Sequence, residues 1–316
     1  MTTSILRTVD GWWVEDPKTS RALKIETAAS TTAELLADRP AITAAAGTLS
    51  SGTTTEVADL QLLSPVTTPN RVAAQMVNYR THAKDSGFDP DRVPPTFFRK
   101  ASSSVTGPFD TIERPSHVAL LDYEIELGLV IGKHIPLGTA IGDSDLNRYV
   151  AGLVVTNDVS ARDVQLRQGQ FYESKSYPTF TPIGPRLVLL EPSEFTQLDR
   201  LRLTLSVNHV IRQDRTVSDM IVRPSRALTL LARFQELDPG DILLTGTPGG
   251  TALKAPAKVV EILGGLLPTE KKWDVFFRRQ AKNPRYLQNG DVITARIATD
   301  DGAVDLGEQR NRVEFK

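Results

Sequence analysis

Residues 121–132 read Leu-Asp-Tyr-Glu-Ile-Glu-Leu-Gly-Leu-Val-Ile-Gly. Side chains on a strand alternate between its two faces. Tyr123, Ile125, Leu127, Leu129 and Ile131 therefore line one face of a predicted strand, and Asp122, Glu124 and Glu126 line the other. One side is dry, and the other sets carboxylates next to one another. Like charges held that close repel unless they face open water or share a cation.

Further strands are predicted on both sides of this one. Candidates are Val72 to Val77, Thr96 to Lys100, Tyr149 to Thr156, 186–190, 201–207, 241–245, Asp291 to Ile297 and Arg312 to Phe315. Helical signals are fewer. Ala227, Leu228, Leu231 and Phe234 recur at helical spacing and predict a helix over 225–236. Thr31 to Ala37 reads as a short helix with Thr32 as its cap. Ala41 to Thr55, rich in Ala, Gly, Ser and Thr, reads as a loop or linker. Residues 78–95 have loop composition, with one helical turn at 79–85. Strands do not alternate regularly with helices, so an α+β, β-rich fold with an antiparallel or mixed core is expected. The Ser-Pro and Thr-Pro-Asn breaks near 66–70 divide a small N-terminal module, 1–68, from a main domain, 69–316.

Composition narrows the chemistry. At 316 residues, 40% hydrophobic and 24% charged, the chain is an ordinary globular one. A net charge of -1 gives no global attraction to nucleic acid or acidic membranes. The absence of cysteine excludes disulfides, thiolate metal sites and cysteine nucleophiles. No apolar run approaches the roughly 20 residues that span a bilayer, and the N-terminus lacks a secretory pattern. A soluble, cytoplasmic protein is the expectation. Residues 251–287 stand apart as a helical insertion, with helices expected at Lys258 to Leu263 and at Thr269 to Lys282, the second capped by Thr269. Basic and aromatic residues interleave in the second. An amphipathic surface helix with its aromatic face packed down outweighs an RNA-binding role.

Glu124-x-Glu126 gains weight from Asp158, which stands where the apolar strand ending at Thr156 emerges. Three carboxylates with no histidine or thiolate nearby in sequence suit a hard cation such as Mg²⁺, Mn²⁺ or Ca²⁺. His82 is one of four histidines. On a helical turn it shares a face with Asp85, at i and i+3, and a carboxylate beside an imidazole makes a general base. Arg162, Gln165 and Lys175 follow Asp158 and can supply donors to a developing oxyanion. Thr245-Gly246-Thr247-Pro248-Gly249-Gly250 offers backbone N–H groups but lacks phosphate-loop spacing. Dinucleotide and serine-hydrolase motifs are absent.

Taken in order, Asn78-Tyr79-Arg80-Thr81-His82, Phe97-Phe98-Arg99-Lys100, Asp122-Tyr123-Glu124-Ile125-Glu126, the run Asn157 to Gln165, Lys175-Ser176, Ser218-Asp219-Met220, the run Pro239 to Pro248 and Arg310-Asn311-Arg312-Val313 resemble the fumarylacetoacetate hydrolase family, over about residues 70 to 316. The resemblance implies a mixed β-sandwich roll and a homodimer. It implies a divalent metal, Mg²⁺ first, on Glu124, Glu126 and Asp158. It implies His82 as base on a lid, oxyanion donors in Arg162, Gln165 and Lys175, and substrate contact by Thr247. The implied activity is hydrolysis of a carbon–carbon bond in a 1,3-diketo acid of acylpyruvate or fumarylpyruvate type, with no nucleic acid or membrane partner. His82, held by Asp85, would activate the water. Two other readings use the same fold: a decarboxylase or tautomerase acting on oxaloacetate-like acids, and a non-catalytic binding protein. This chain departs from the pattern at Asp85, where small members usually have Glu. It departs again at Gln75, where some members have a further carboxylate, and at Tyr177-Pro178 after Lys175-Ser176.

Overall fold

The computed structural model describes residues 2–169, 171–254 and 269–316, and for 269–274 the backbone alone. Its centre is a ten-stranded sheet. In spatial order the strands are Thr55–Glu56, Arg21–Lys24, Gly11–Asp16, Thr3–Thr8, Leu187–Leu189, Val150–Asn157, Ile125–Ile131, Ile242–Leu244, Val72–Met76 and Thr96–Lys100. Neighbours run antiparallel, except that Ile242–Leu244 and Val72–Met76 are parallel. A second sheet has the order Val210–Thr216, Leu201–Val207, Val292–Thr299, Asp305–Phe315 and Ile112–Arg114. The fold is thus α+β and β-rich. The first strands of the chain continue the central sheet, since Thr3–Thr8 pairs with Leu187–Leu189.

Alternation along Ile125–Ile131 decides the layering. Ile125, Leu127, Leu129 and Ile131 join Leu153, Val155, Leu203, Leu205, Ile293 and Ile297 in one core between the sheets. Each such side chain contributes about 1.5–3 kcal/mol on burial. Val130 points the other way, into a second core with Val154, Ile242 and Leu244, where Leu35, Leu36 and Ile42 of the N-terminal helices also pack. Gly128 lies on that second side, where a Cβ would come within 2.6 Å of Val154.

The stretch 121–132 is two strands, Leu121–Asp122 and Ile125–Ile131. Side chains take the ladder bonds at the break. Tyr123 N–H donates to Asp122 Oδ1 at 2.9 Å, Glu124 N–H to Asn157 Oδ1 at 2.9 Å and Ile125 N–H to Gln213 Oε1 at 3.0 Å. The chain leaves the sheet here, and the acidic side chains gather at its end.

Several expected elements need correction. Most of Ala41 to Thr55 is helical, in Arg39–Thr48, with Pro40 in the first turn and Asp38 accepting from Ala41 N–H. The first helix is capped by Thr31, whose hydroxyl accepts from Glu34 N–H while the Glu34 carboxylate accepts from Thr31 N–H. The helix begun at Pro224 ends at Leu231, and Phe234 lies beyond it, exposed. The helix Thr269–Gln280 is present. The helix expected at Lys258 to Leu263 lies outside the described residues, and so does the Thr269 side chain expected to cap the next helix. No helix among the described residues is long and apolar enough to cross a membrane.

Candidate active site

Strand register brings the three carboxylates together. Ile125 pairs with Asn157 across an antiparallel ladder, so the next residues outward, Glu124 and Asp158, emerge side by side. Asp158 N–H donates to Glu124 C=O at 2.8 Å. Gly128 pairs with Leu244, which places Gly246 opposite Glu126, and Gly246 N–H donates to Glu126 Oε2 at 2.6 Å. One oxygen each of Glu124, Glu126 and Asp158 lies within 4.8 Å of the others, and all three residues are buried. The choice left open by the sequence is settled against a solvated face.

Buried carboxylates cost several kcal/mol each unless compensated, and three basic residues do most of the compensating. Lys175 Nζ donates to Glu124 Oε2 at 2.6 Å and to Asp158 Oδ2 at 2.5 Å. Arg162 donates to Asp122 Oδ2 from Nε at 2.8 Å, to Gln165 Oε1 at 2.9 Å, and to Glu124 Oε1. Lys100 donates to Asp158 Oδ1 and, at 2.8 Å, to the Phe180 carbonyl. Asp122, Glu124 and Asp158 are thereby matched by Arg162, Lys175 and Lys100, and Glu126 has no ion pair among the described residues.

The pKa directions follow from this arrangement. Burial pushes the Glu126 carboxyl well above its ordinary value, and the charges of Asp158 and Glu124 push it further. Burial acts on Glu124 in the same sense, but Arg162 and Lys175 outweigh it and hold that carboxyl well below its usual range. Burial lowers Lys100. It lowers Lys175 too, but there Asp158 and Glu124 prevail and the net shift is upward.

A hard divalent cation fits this donor set. All donors are carboxylate oxygens, one carboxylate lacks a basic partner, and Mg²⁺, Mn²⁺ and Ca²⁺ take oxygen ligands of this kind.

His82 sits on the helix Arg80–Asp85 and is buried. Its Nδ1 has no hydrogen-bond partner among the described residues. Burial lowers its pKa, and the Glu124 charge opposes that while Arg162 and Lys175 add to it. The expected pairing with Asp85 is not made. Asp85 Oδ2 accepts from Gly250 N–H at 3.0 Å, and Lys254 Nζ lies 3.4 Å from Oδ1. Thr247 is buried. Its hydroxyl donates to the Ile125 carbonyl at 2.8 Å and accepts from Gln213 Nε2 at 2.8 Å. Of the expected residues, Glu124, Asp158, Arg162, Gln165 and Lys175 form one hydrogen-bonded cluster, and Glu126 lies beside its carboxylates, bonded to Gly246 N–H; Thr247 and Asp85 are engaged elsewhere.

The sequence marks no role for Lys100, which the structure places against Asp158. Arg99 is exposed, so its neighbour on the strand Thr96–Lys100 faces inward. Replacing Lys100 by Met leaves a buried Asp158 oxygen uncompensated. We expect a loss of about 3–5 kcal/mol of stability in chelator. Mg²⁺ should then raise the melting temperature more in the variant than in the wild type, and equal shifts in paired melts would contradict this account of Lys100.

Residues 71–314 match the family model described as "Fumarylacetoacetate (FAA) hydrolase C-terminal". A mitochondrial oxaloacetate tautomerase of Rattus norvegicus is 39% identical over 194 residues, covering 60% of this chain and 59% of that protein. The oxaloacetate tautomerase YisK of Bacillus subtilis is 37% identical over 198 residues, covering 61% of this chain and 64% of its own length. The match thus spans about three fifths of each of these curated relatives. A crystal structure of a probable 2-hydroxyhepta-2,4-diene-1,7-dioate isomerase from Mycobacterium abscessus superposes with a TM-score of 0.74 at 30% identity, covering 100% of this chain and 99% of that one.

Proposed function

This chain belongs to the fumarylacetoacetate hydrolase family, and from that premise we propose that it interconverts the keto and enol forms of an oxaloacetate-type 2-oxo acid at the Glu124, Glu126 and Asp158 site. The observation that carries the reading is at His82: its Nδ1 has no partner among the described residues, and Asp85 is held by Gly250 and Lys254. Hydrolysis of a carbon–carbon bond needs an activated water, for which the expected device was a histidine oriented by a carboxylate. Tautomerisation only moves a proton and consumes no water. A lone buried imidazole suffices for it. The names of the rat and Bacillus relatives support the same reading.

Glu124, Glu126 and Asp158 would hold a divalent cation, with Mg²⁺ expected first, which would supply Lewis acidity toward the oxygens of a 2-oxo acid. His82, neutral near pH 7, takes the proton from the carbon beside the carbonyl and delivers it to the carbonyl oxygen, which completes the enol, and the reverse transfer restores the keto form. Lys175, held charged by Asp158 and Glu124, stabilises negative charge developing on the carbonyl oxygen. Arg162 is committed to Asp122, Glu124 and Gln165, so it orients the acidic cluster. Thr247 keeps the turn after Leu244 against Ile125.

The test is to follow decay of enol oxaloacetate by its ultraviolet absorbance, with Mg²⁺ and then with chelator, beside an acylpyruvate. The proposal expects metal-dependent ketonisation and little acylpyruvate cleavage. Metal-dependent cleavage of the acylpyruvate with no effect on the enol would make the protein a hydrolase. No turnover of either would make it a binding protein.

A further inference from the structure

The His82 helix is attached to a glycine-bearing loop that also reaches the acidic centre. Gly249 N–H donates to Thr81 Oγ1 at 3.0 Å, and the Thr81 hydroxyl donates onward to Asp219 Oδ2 at 2.6 Å. One residue later, Gly250 N–H donates to Asp85 Oδ2. The helix is thus held at both ends, through Thr81 and Asp85, by consecutive backbone N–H groups. Space explains why both are glycine. A Cβ on Gly249 would lie 3.0 Å from Thr81 backbone, and one on Gly250 would lie 2.1 Å from the Arg212 carbonyl oxygen. Gly250 also has φ +108°, a conformation that favours glycine.

Beyond the glycines the same loop turns to the carboxylates. Ala252 N–H and Leu253 N–H donate to the two oxygens of Asp122, at 2.9 and 3.2 Å. Asp122 in turn holds Arg162, which holds Glu124. Arg285 and Tyr123 both donate to the Gly250 carbonyl, pinning the loop from its other side.

We propose that Asp85 is a positioning residue: it clasps the loop at Gly250 and so sets the place of the His82 helix, and it does not act on the imidazole directly. This rests on the reading of His82 as the proton carrier. The clasp needs an acceptor oxygen at position 85, not a negative charge.

That distinction gives the test. Wild type, Asp85→Asn and Asp85→Ala are compared, Mg²⁺-loaded, for kcat, KM and pH profile with oxaloacetate. Hydrogen exchange is measured over the peptide containing 245–254. Asparagine keeps an acceptor for Gly250 N–H, so its kcat/KM should fall by less than about fivefold, with the acid limb of the profile unmoved. Alanine should lose about tenfold to a hundredfold, mainly in kcat, and exchange over 245–254 should quicken.

If Asp85 instead supported His82 by its charge, Asp85→Asn would lower the imidazole pKa. The acid limb would then move to lower pH and the loss would match that of alanine, and this result would overturn the proposal. Unchanged exchange in Asp85→Ala would overturn it too. If the alanine variant does not fold, the acid limb of Asp85→Asn decides alone. Full activity in a His82→Ala variant would remove the functional reading instead, while the exchange result would still judge the clasp.

Discussion

Glu126→Gln should nearly abolish activity while leaving the fold intact or more stable. Among the described residues Glu126 is the cluster's carboxylate without a basic partner, and its only hydrogen bond there comes from Gly246 N–H. Glutamine keeps the shape and the acceptor for that N–H but removes the charge that a cation needs. A ligand lost from a Lewis-acid site forfeits several kcal/mol of charge stabilisation, a fall on the order of a thousandfold in kcat/KM. The stability effect has the opposite sign. The folded pKa of this carboxyl is raised by burial and by Asp158 and Glu124. Without divalent ions, its contribution is therefore fullest below the ordinary carboxylate value and declines as pH rises toward the raised one. Glutamine removes that decline. Melts in chelator from pH 5 to 8 should show the wild type losing ground to Glu126→Gln as pH rises. A variant that binds Mg²⁺ and turns over normally, or one that melts earlier throughout, would contradict the role given to Glu126.

His82→Ala carries the second large effect. A general base contributes about a hundredfold to ten-thousandfold, and kcat should fall by that much while Mg²⁺ affinity stays within a factor of about two. The second half matters because His82 belongs to a separate helix and is not among the three carboxylates that lie together. Calorimetric Mg²⁺ titration of the variant checks it. In the wild type, burial lowers the imidazole pKa. The acid limb of kcat/KM should then fall below the ordinary imidazole value of 6.5, with activity lost as pH drops through that limb and the base takes up a proton. A limb above 6.5, or an active alanine variant, would assign the proton to another group.

Much of the centre was legible in the sequence because it depends on local alternation. The period-two pattern from Tyr123 to Ile131 predicted which side chains enter the core, and those five do so. It also put Glu124 and Glu126 on the side away from that core. What alternation could not supply was the interruption at Tyr123 and Glu124, because its causes are distant side chains, Asn157 and Gln213. The helix Arg39–Thr48 has no legible periodicity, since its alanines and threonines mark no apolar face beyond Ile42 and Ala45. Its real signals were Asp38 as cap and Pro40 in the first turn.

Asp85 shows the same limit more sharply. Helical spacing puts it on the face of His82, which is a purely local signal. The competing donors, Gly250 and Lys254, lie more than a hundred and sixty residues further along the chain. Lys100 was hidden differently. A lysine ending a strand reads as solvent-facing by default, and only its burial against Asp158 and the Phe180 carbonyl reveals its part.

The most direct test is a crystal structure of the Mn²⁺-soaked protein, with anomalous data collected at the manganese edge, beside the same soak of Glu126→Gln. One strong peak bonded to Glu124, Glu126 and Asp158 in the wild type, and lost or much weakened in the variant, is the predicted result. A peak elsewhere, or none under conditions that support turnover, would contradict the claim that these three carboxylates converge on one cation.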